Sequence, residues 1–188
     1  HVPPRASDDR AVLVADQQQA GRGRRGRVWA AAPESSLTFS LLWRIPAPAT
    51  RCNGLSLAVG LAMARAFASF GITKNHFGLK WPNDVLVCQS GRSDKLYAKL
   101  AGMLIELVFA PRTATGQKPT QAIIGIGLNL AAPPDDVGQL AAGVNDLFAA
   151  ACLLLPDRHT LFAAWLRELV RTLDEFCTAG FAALRYVW

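Results

Sequence analysis

The residues best equipped for chemistry stand near the start of the chain. Arg22, Arg24, Arg25 and Arg27 fall within six positions, interleaved with Gly21, Gly23 and Gly26. Three glycines raise the entropic cost of order and four like charges repel, so the spacing predicts a mobile loop rather than a helix or core strand. Such a loop has one strong physical use, which is to fold onto an anion. Glycine backbones approach a phosphate closely, and guanidinium forks bind its oxygens in pairs. Trp29 closes the stretch with a flat face suited to stacking a base. A solvated basic loop, or an Arg/Gly arm for RNA, would use the same residues.

Three further places carry reactive types. Lys80, Trp81, Asn83 and Asp84 surround Pro82, which fixes a turn and holds the four together. A lysine, an amide and a carboxylate so close can hold phosphate, an adenine edge, magnesium or an amine, although an ordinary Asn/Asp turn beside a snorkelling lysine reads the same way. Lys99 interrupts an apolar run ahead of Gly102. Burying an unpaired ammonium is costly, so Lys99 must reach solvent or meet an anion. Finally, Ile123, Gly125, Gly127 and Asn129 share one face of an alternating segment, a floor nearly free of side chains. That face suits either a helix packed very close or a ligand lying flat.

The elements that position these residues follow from periodicity. Residues 11–15 form a short apolar run expected to be one buried strand. Residues 37–44 alternate as a half-buried strand, with Leu37, Phe39, Leu41 and Trp43 on one face. Residues 55–70 read as a helix capped by Thr50 or Asn53, with Leu57, Leu61, Ala64 and Ala68 as its stripe and Gly71 as its stop. Strands are expected at 77–81, 84–88, 96–109 and 121–130, separated by a polar hairpin tip at 89–94 and a loop at 111–119. After a further loop at 131–136, Asp157 starts a long helix with Leu161, Trp165, Leu169, Leu173 and Phe176 inward, ending at Gly180. Residues 1–10 read as a tail and 11–188 as one domain.

Composition narrows the classes. The 188 residues are 51% hydrophobic and 18% charged, as for a well-packed domain, and the loop arginines supply most of the net charge of +6. Local basicity favours a small polyanionic ligand over a nucleic-acid track. Cys52, Cys88, Cys152 and Cys177 are far apart, and His1, His76 and His159 are isolated, so no disulfide scaffold or zinc site is expected and a reducing cytoplasm fits. No membrane helix or signal peptide is read. Starting at His1 rather than methionine, the sequence reads as beginning inside a longer one.

The string Gln18-Gln19-Ala20-Gly21-Arg22-Gly23-Arg24-Arg25-Gly26-Arg27, followed by Trp29, closely resembles the signature loop of biotin–protein ligases, the holocarboxylase synthetases. Lys80-Trp81-Pro82-Asn83-Asp84 resembles that family's K-W-P-N-D turn, Lys99-Leu100-Ala101-Gly102 its K-L-A-G strand, and Ile124-Gly125-Ile126-Gly127-Leu128-Asn129 its I-G-x-G-x-N strand. The four motifs occur in the family's order.

The resemblance implies an α+β fold, a mixed β-sheet flanked by helices, like that of class II aminoacyl-tRNA synthetases and lipoate ligases. It implies that biotin and ATP, with Mg2+, give biotinyl-5′-AMP, which a lysine of a biotin carboxyl carrier domain then attacks. Catalytic roles fall to Arg24, Lys80, Asp84 and Lys99. The biotin side comprises Gln18, Gly21, Arg22, Gly23, Arg24, Lys99 and Gly102. The ATP and adenylate side comprises Arg22, Arg24, Arg25, Arg27, Trp29, Asn83 and Asn129. No protein-held metal is expected, Asp84 being the one possible contact to magnesium.

The sequence departs from the family pattern in lacking an upstream Ser/Thr-Asn segment, a C-terminal β-barrel and an N-terminal helix-turn-helix, so DNA binding is not expected. An exposed sheet edge could pair two chains as a homodimer. A lipoate or other acyl ligase of the same fold and a basic nucleic-acid-binding module are the alternatives.

Overall fold

The computed structural model describes residues 10–30, 33–89, 96–109, 119–133 and 140–184. Among these residues six strands form one sheet: β1 (Arg10–Ala15), β2 (Ser36–Ile45), β3 (Phe77–Lys80), β4 (Asp84–Gln89), β5 (Leu96–Phe109) and β6 (Thr120–Asn129), in the order β1-β2-β6-β5-β4-β3. Every strand pairing is antiparallel; the parallel component is an isolated bridge between Lys99 and Ala141. Three helices, α1 (Leu55–Ser69), α2 (Val144–Ala150) and α3 (Arg158–Ala179), complete the α+β architecture. The expected tail at 1–10 apart from Arg10, the hairpin tip at 89–94 apart from Gln89, the loop at 111–119 apart from Pro119, and residues 134–136 lie outside the described residues. Among the described residues no helix is long and apolar enough to cross a membrane.

Alternation along the central strands divides the sheet into two faces. Leu37, Phe39, Leu41 and Trp43 of β2, with Ala122, Ile124, Ile126 and Leu128 of β6, join the helices in a single core. On α3, Leu161, Trp165, Leu169, Leu173 and Phe176 are all buried, as their spacing predicts. Each such side chain contributes about 1.5–3 kcal/mol when removed from water. Asp157 caps this helix by accepting from the backbone N–H groups of His159 and Thr160, and Gly180 ends it.

Four expectations are corrected. The first concerns β1, which begins at Arg10 and is an edge strand with Val12, Leu13 and Val14 each more than 40% exposed. A short apolar run identifies a strand but not its place in the sheet, and among the described residues β1 pairs with β2 alone. The second concerns β2, which is buried on both faces: Thr38 and Leu42 are covered as well, and Thr38 donates its hydroxyl to Ala15 O at 2.9 Å. Thr38, Ser40 and Leu42 on this second face border a cleft.

The third correction is to the cap of α1, which is Gly54 with no side-chain bond; Thr50 lies in a 3-10 turn at Ala49–Arg51. Gly54 has a φ of 86°, and a Cβ there would meet the Phe181 ring at 2.6 Å, so both conformation and space demand glycine. The fourth is to the α1 stripe. Leu61 is buried, but Leu57 and Ala64 are only partly covered and Ala68 is exposed, and the inward face runs instead through Leu55, Ala58, Val59, Ala62, Ala66 and Phe67. A helix so rich in alanine carries too little contrast for periodicity to fix its rotation. Helix α2, with the Gly143 N–H donating to Asp146 Oδ2 at 2.7 Å, falls in a stretch the sequence left unassigned.

A polar cluster ties α1 to α3. Arg65 donates to Thr172 Oγ1 at 2.9 Å and to Glu175 Oε2 at 2.8 Å, while Arg171 Nε reaches Glu175 Oε1 at 3.1 Å. The hydrogen bond from Arg65 holds the Glu175 carboxyl below its ordinary value of 4.5. A depressed carboxyl stabilises the fold above its unfolded pKa, and that contribution is lost as pH falls through the folded value. Glu175→Gln is therefore expected to cost about 1 kcal/mol at neutral pH, a figure discounted for partial solvent exposure. In urea melts the gap to wild type should narrow once pH drops below 4.5; a gap that does not change with pH would contradict the assignment.

Candidate functional site

An open cleft of about 2190 Å³ lies across the face of the sheet turned away from the core residues. Its floor is read from the strand register. Thr38, Gly127 and Gly102 stand side by side on β2, β6 and β5, followed by Ser40, Gly125 and Leu104, then Leu42, Ile123 and Glu106. The expected face without side chains is thus real, and the group packed on it within this chain is a side chain rather than a helix. The Trp29 indole lies on it. A Cβ at Gly127 would meet Trp29 Nε1 at 2.7 Å, and one at Gly102 would meet Cζ3 at 3.3 Å.

Strand β5 solves a geometric problem. In regular alternation Lys99 and Gly102 would face opposite sides of the sheet. The register between β4 and β5 shifts, with Val85 opposite Ala101 and Leu86 opposite Lys99, so β5 carries one extra residue there. Ala98 and Leu100 point into the core before the bulge, and Ala101 and Met103 after it. The bulge turns both Lys99 and Gly102 into the cleft.

Three contacts clasp the backbone of Lys99. Its N–H donates to Leu140 O at 2.8 Å, and its carbonyl accepts from Ala142 N at 3.0 Å and from Asn129 Nδ2 at 3.2 Å. Asn129, 5% exposed, also donates to Ala142 O at 3.2 Å. The Lys99 ammonium meets Asp84 Oδ1 at 2.9 Å, with both side chains about four-fifths buried, and lies 5.6 Å from the centre of a Trp29 ring. This is the anion that an ammonium inside an apolar run requires.

The turn carrying Asp84 contains a cis Trp81–Pro82 bond. Asn83 locks it to β5: Met103 N donates to Asn83 O at 2.9 Å, and Asn83 Nδ2 donates to Met103 O at 3.2 Å. Arg24 Nη1 in turn donates to Asn83 Oδ1 at 3.2 Å, so the arginine segment is tethered to the turn. Lys80 is exposed at the cleft mouth.

The arginine segment folds back on itself as a hairpin. Trp29 N donates to Gly21 O at 2.9 Å, Gly23 N to Arg27 O at 2.7 Å, and a 3-10 turn at Arg24–Gly26 closes the tip, with Arg25 and Gly26 at positive φ. Gly21 is buried, and a Cβ on it would strike the Trp29 carbonyl and approach Gln18 Oε1 at 2.9 Å. Its role here is to let the hairpin close. Gln18, Arg22, Gly23, Arg24, Arg25, Arg27 and Trp29 line the cleft, as do Lys80, Asn83, Asp84, Lys99, Gly102 and Asn129.

The structure adds Glu106, which the sequence reading passed over. Its Oε2 lies 3.8 Å from Arg22 Nη2, both side chains being at least half exposed to solvent or nearly so. Regular alternation from Lys99 would send residue 106 to the core face, so only the charge of Glu106 hinted that the phase changes. All four cysteines are free, and among the described residues no three metal-binding side chains converge.

Comparison with known proteins follows the same lines. Residues 3–129 match the Biotin/lipoate A/B protein ligase family. The chain is 35% identical over 177 residues to the Bifunctional ligase/repressor BirA of Escherichia coli, covering 94% of this chain and 50% of that one. It is 37% identical to the Biotin--[acetyl-CoA-carboxylase] ligase of Mycobacterium tuberculosis, covering 93% and 58%. It thus spans little more than half the length of these relatives. The crystal structure of biotin protein ligase from Leishmania major in complex with biotin superposes with a TM-score of 0.66 at 26% identity, covering 87% of this chain and 64% of that one.

The Trp29 contact can be tested without knowing any ligand. Gly127→Ala has no room beneath the indole and is expected to cost about 1–3 kcal/mol and to shift tryptophan emission to the red. In a Trp29→Phe background the emission shift should vanish. A shift that persists there would show that another tryptophan reports the change.

Proposed function

Because the chain belongs to the Biotin/lipoate A/B protein ligase family, we propose that it activates biotin with ATP and transfers the biotinyl group to a lysine of a biotin carboxyl carrier protein. The observation that carries this reading is Lys99. A cation paired with Asp84 is held beside a floor free of side chains and across from an arginine hairpin, where two anions could be brought together. The named activity of the Mycobacterium tuberculosis relative supports the substrate.

In the first step a biotin carboxylate oxygen attacks the α-phosphorus of ATP, the bond to the β-phosphate oxygen breaks, and pyrophosphate leaves. Arg22, Arg24 and Lys99 neutralise the charge that gathers on the transferring group. Gln18, Gly23 and Gly102 border the biotin side. Arg25 and Arg27 hold the hairpin closed or meet pyrophosphate, and Trp29 and Asn83 border the adenylate. Asn129, its amide nitrogen committed to two carbonyls, acts through the Lys99 backbone. Magnesium arrives with the triphosphate in this scheme, since Asp84 already directs one oxygen to Lys99.

In the second step the carrier lysine attacks the acyl carbon of the mixed anhydride and AMP leaves. The amine must be neutral, although a free lysine has a pKa of about 10.4. Asp84 is placed to orient the amine or take its proton. Covering the anhydride from water is the purpose of a hairpin that can be ordered over it.

Exchange of labelled pyrophosphate into ATP tests the reading. Wild type is expected to exchange only with biotin present, lipoate serving as the control acid. Lys99→Ala should lose about 10²–10³-fold while remaining folded by circular dichroism at the assay temperature. Exchange that responds to lipoate, or to neither acid, would overturn the assignment. Asn129→Ala should lower the exchange rate at saturating ATP without altering preference for ATP over GTP. Lost nucleotide preference would make Asn129 a reader of the base instead.

A further inference from the structure

We infer that Trp81 is the contact by which the lysine-bearing carrier docks, an inference that rests on the proposed ligase reading and adds to it the surface the carrier meets. Trp81 is 75% exposed, although it is among the most apolar side chains in the protein. It borders the cleft mouth, three residues before the Asp84 that pairs with Lys99. Its turn is not loose, because Asn83 exchanges two hydrogen bonds with Met103 and receives a third from Arg24. A large aromatic ring held in water on a rigid support pays little ordering entropy on binding and buries much area, which is the profile of an interface anchor. Val28, 79% exposed, offers a second apolar contact from the hairpin that borders the same cleft.

Charge identifies the partner further. Among the described residues, the cleft is lined by Arg22, Arg24, Arg25, Arg27, Lys80 and Lys99 against two carboxylates, Asp84 and Glu106. A lysine approaching alone meets a field of its own sign. The surface that delivers it must bring acidic residues beside the lysine and an apolar residue to cover Trp81. A folded carrier domain with its lysine at an exposed turn between such residues fits; a free amine does not.

The test uses preformed biotinyl-5′-AMP and an isolated biotin carboxyl carrier domain, with hydroxylamine as a small nucleophile needing no docking. Trp81→Ala is a surface change and Trp81→Phe keeps an aromatic ring. The expected result for Trp81→Ala is a carrier KM raised about tenfold, with kcat, the hydroxylamine rate and biotin-dependent pyrophosphate exchange unchanged. Trp81→Phe should recover most of the loss, and wild-type carrier KM should rise with salt. A carrier KM unchanged in Trp81→Ala overturns the inference, as does a raised KM for ATP in exchange, which would place the ring on the nucleotide. Wild type that shows no exchange at all would instead remove the ligase reading, and the inference with it.

Discussion

Crowding of like charge is the constraint around which this molecule is arranged. Among the described residues, six cationic side chains border one cleft and two carboxylates answer them. Charges of one sign do not assemble themselves, so the backbone must do it. The hairpin is closed by main-chain bonds from Trp29 to Gly21 and from Gly23 to Arg27, and its tip adopts positive φ at Arg25 and Gly26. Lys99 is held likewise through its own N–H and carbonyl, leaving the ammonium to Asp84. The backbone that carries these cations is thus held by groups without net charge, while Lys99 meets Asp84 and Arg22 lies near Glu106.

The helical layer makes this affordable to the fold. The core beneath the sheet is continuous, running from Trp43 and Ile124 to Trp165 and Phe67. Stability comes from that side, where Arg65 and Glu175 also join α1 to α3. The other side can then keep glycines where a strand would otherwise gain from side chains. Trp29 restores part of the lost contact by lying over Gly127 and Gly102.

Much of this was legible in the residues themselves. Strand β5 runs over the expected 96–109, β6 and α3 differ by a residue or so, and the glycine floor and the anion required by Lys99 were both implied by local pattern. What local pattern could not supply was tertiary. Val12, Leu13 and Val14 look buried until β1 is known to lie at the edge, and Thr38 looks solvated until the cleft is known to cover it. The hairpin shape of the arginine segment was hidden for a similar reason: composition counts the repulsion among its side chains, but not the bonds that Gly21 and Gly23 make across it. The site residues were gathered by motif, whereas the division of labour among them, with Asn129 and Asn83 spending amides on carbonyls, emerged only from geometry.

The bulge in β5 makes one strand into two frames of reading. Upstream of it odd-numbered residues face the cleft, and downstream even-numbered ones do. Neither frame alone can present both a cation and a glycine three positions apart. Removing a single residue at Leu100 would yield a more regular ladder and a better strand by every local measure, while turning one half of the site toward the helices. The strand's sequence is therefore constrained by count as well as by identity. Substitutions along it can be tolerated one at a time, but length cannot drift, and the irregularity that looks like a flaw in the sheet is what keeps its two halves in phase with the chemistry.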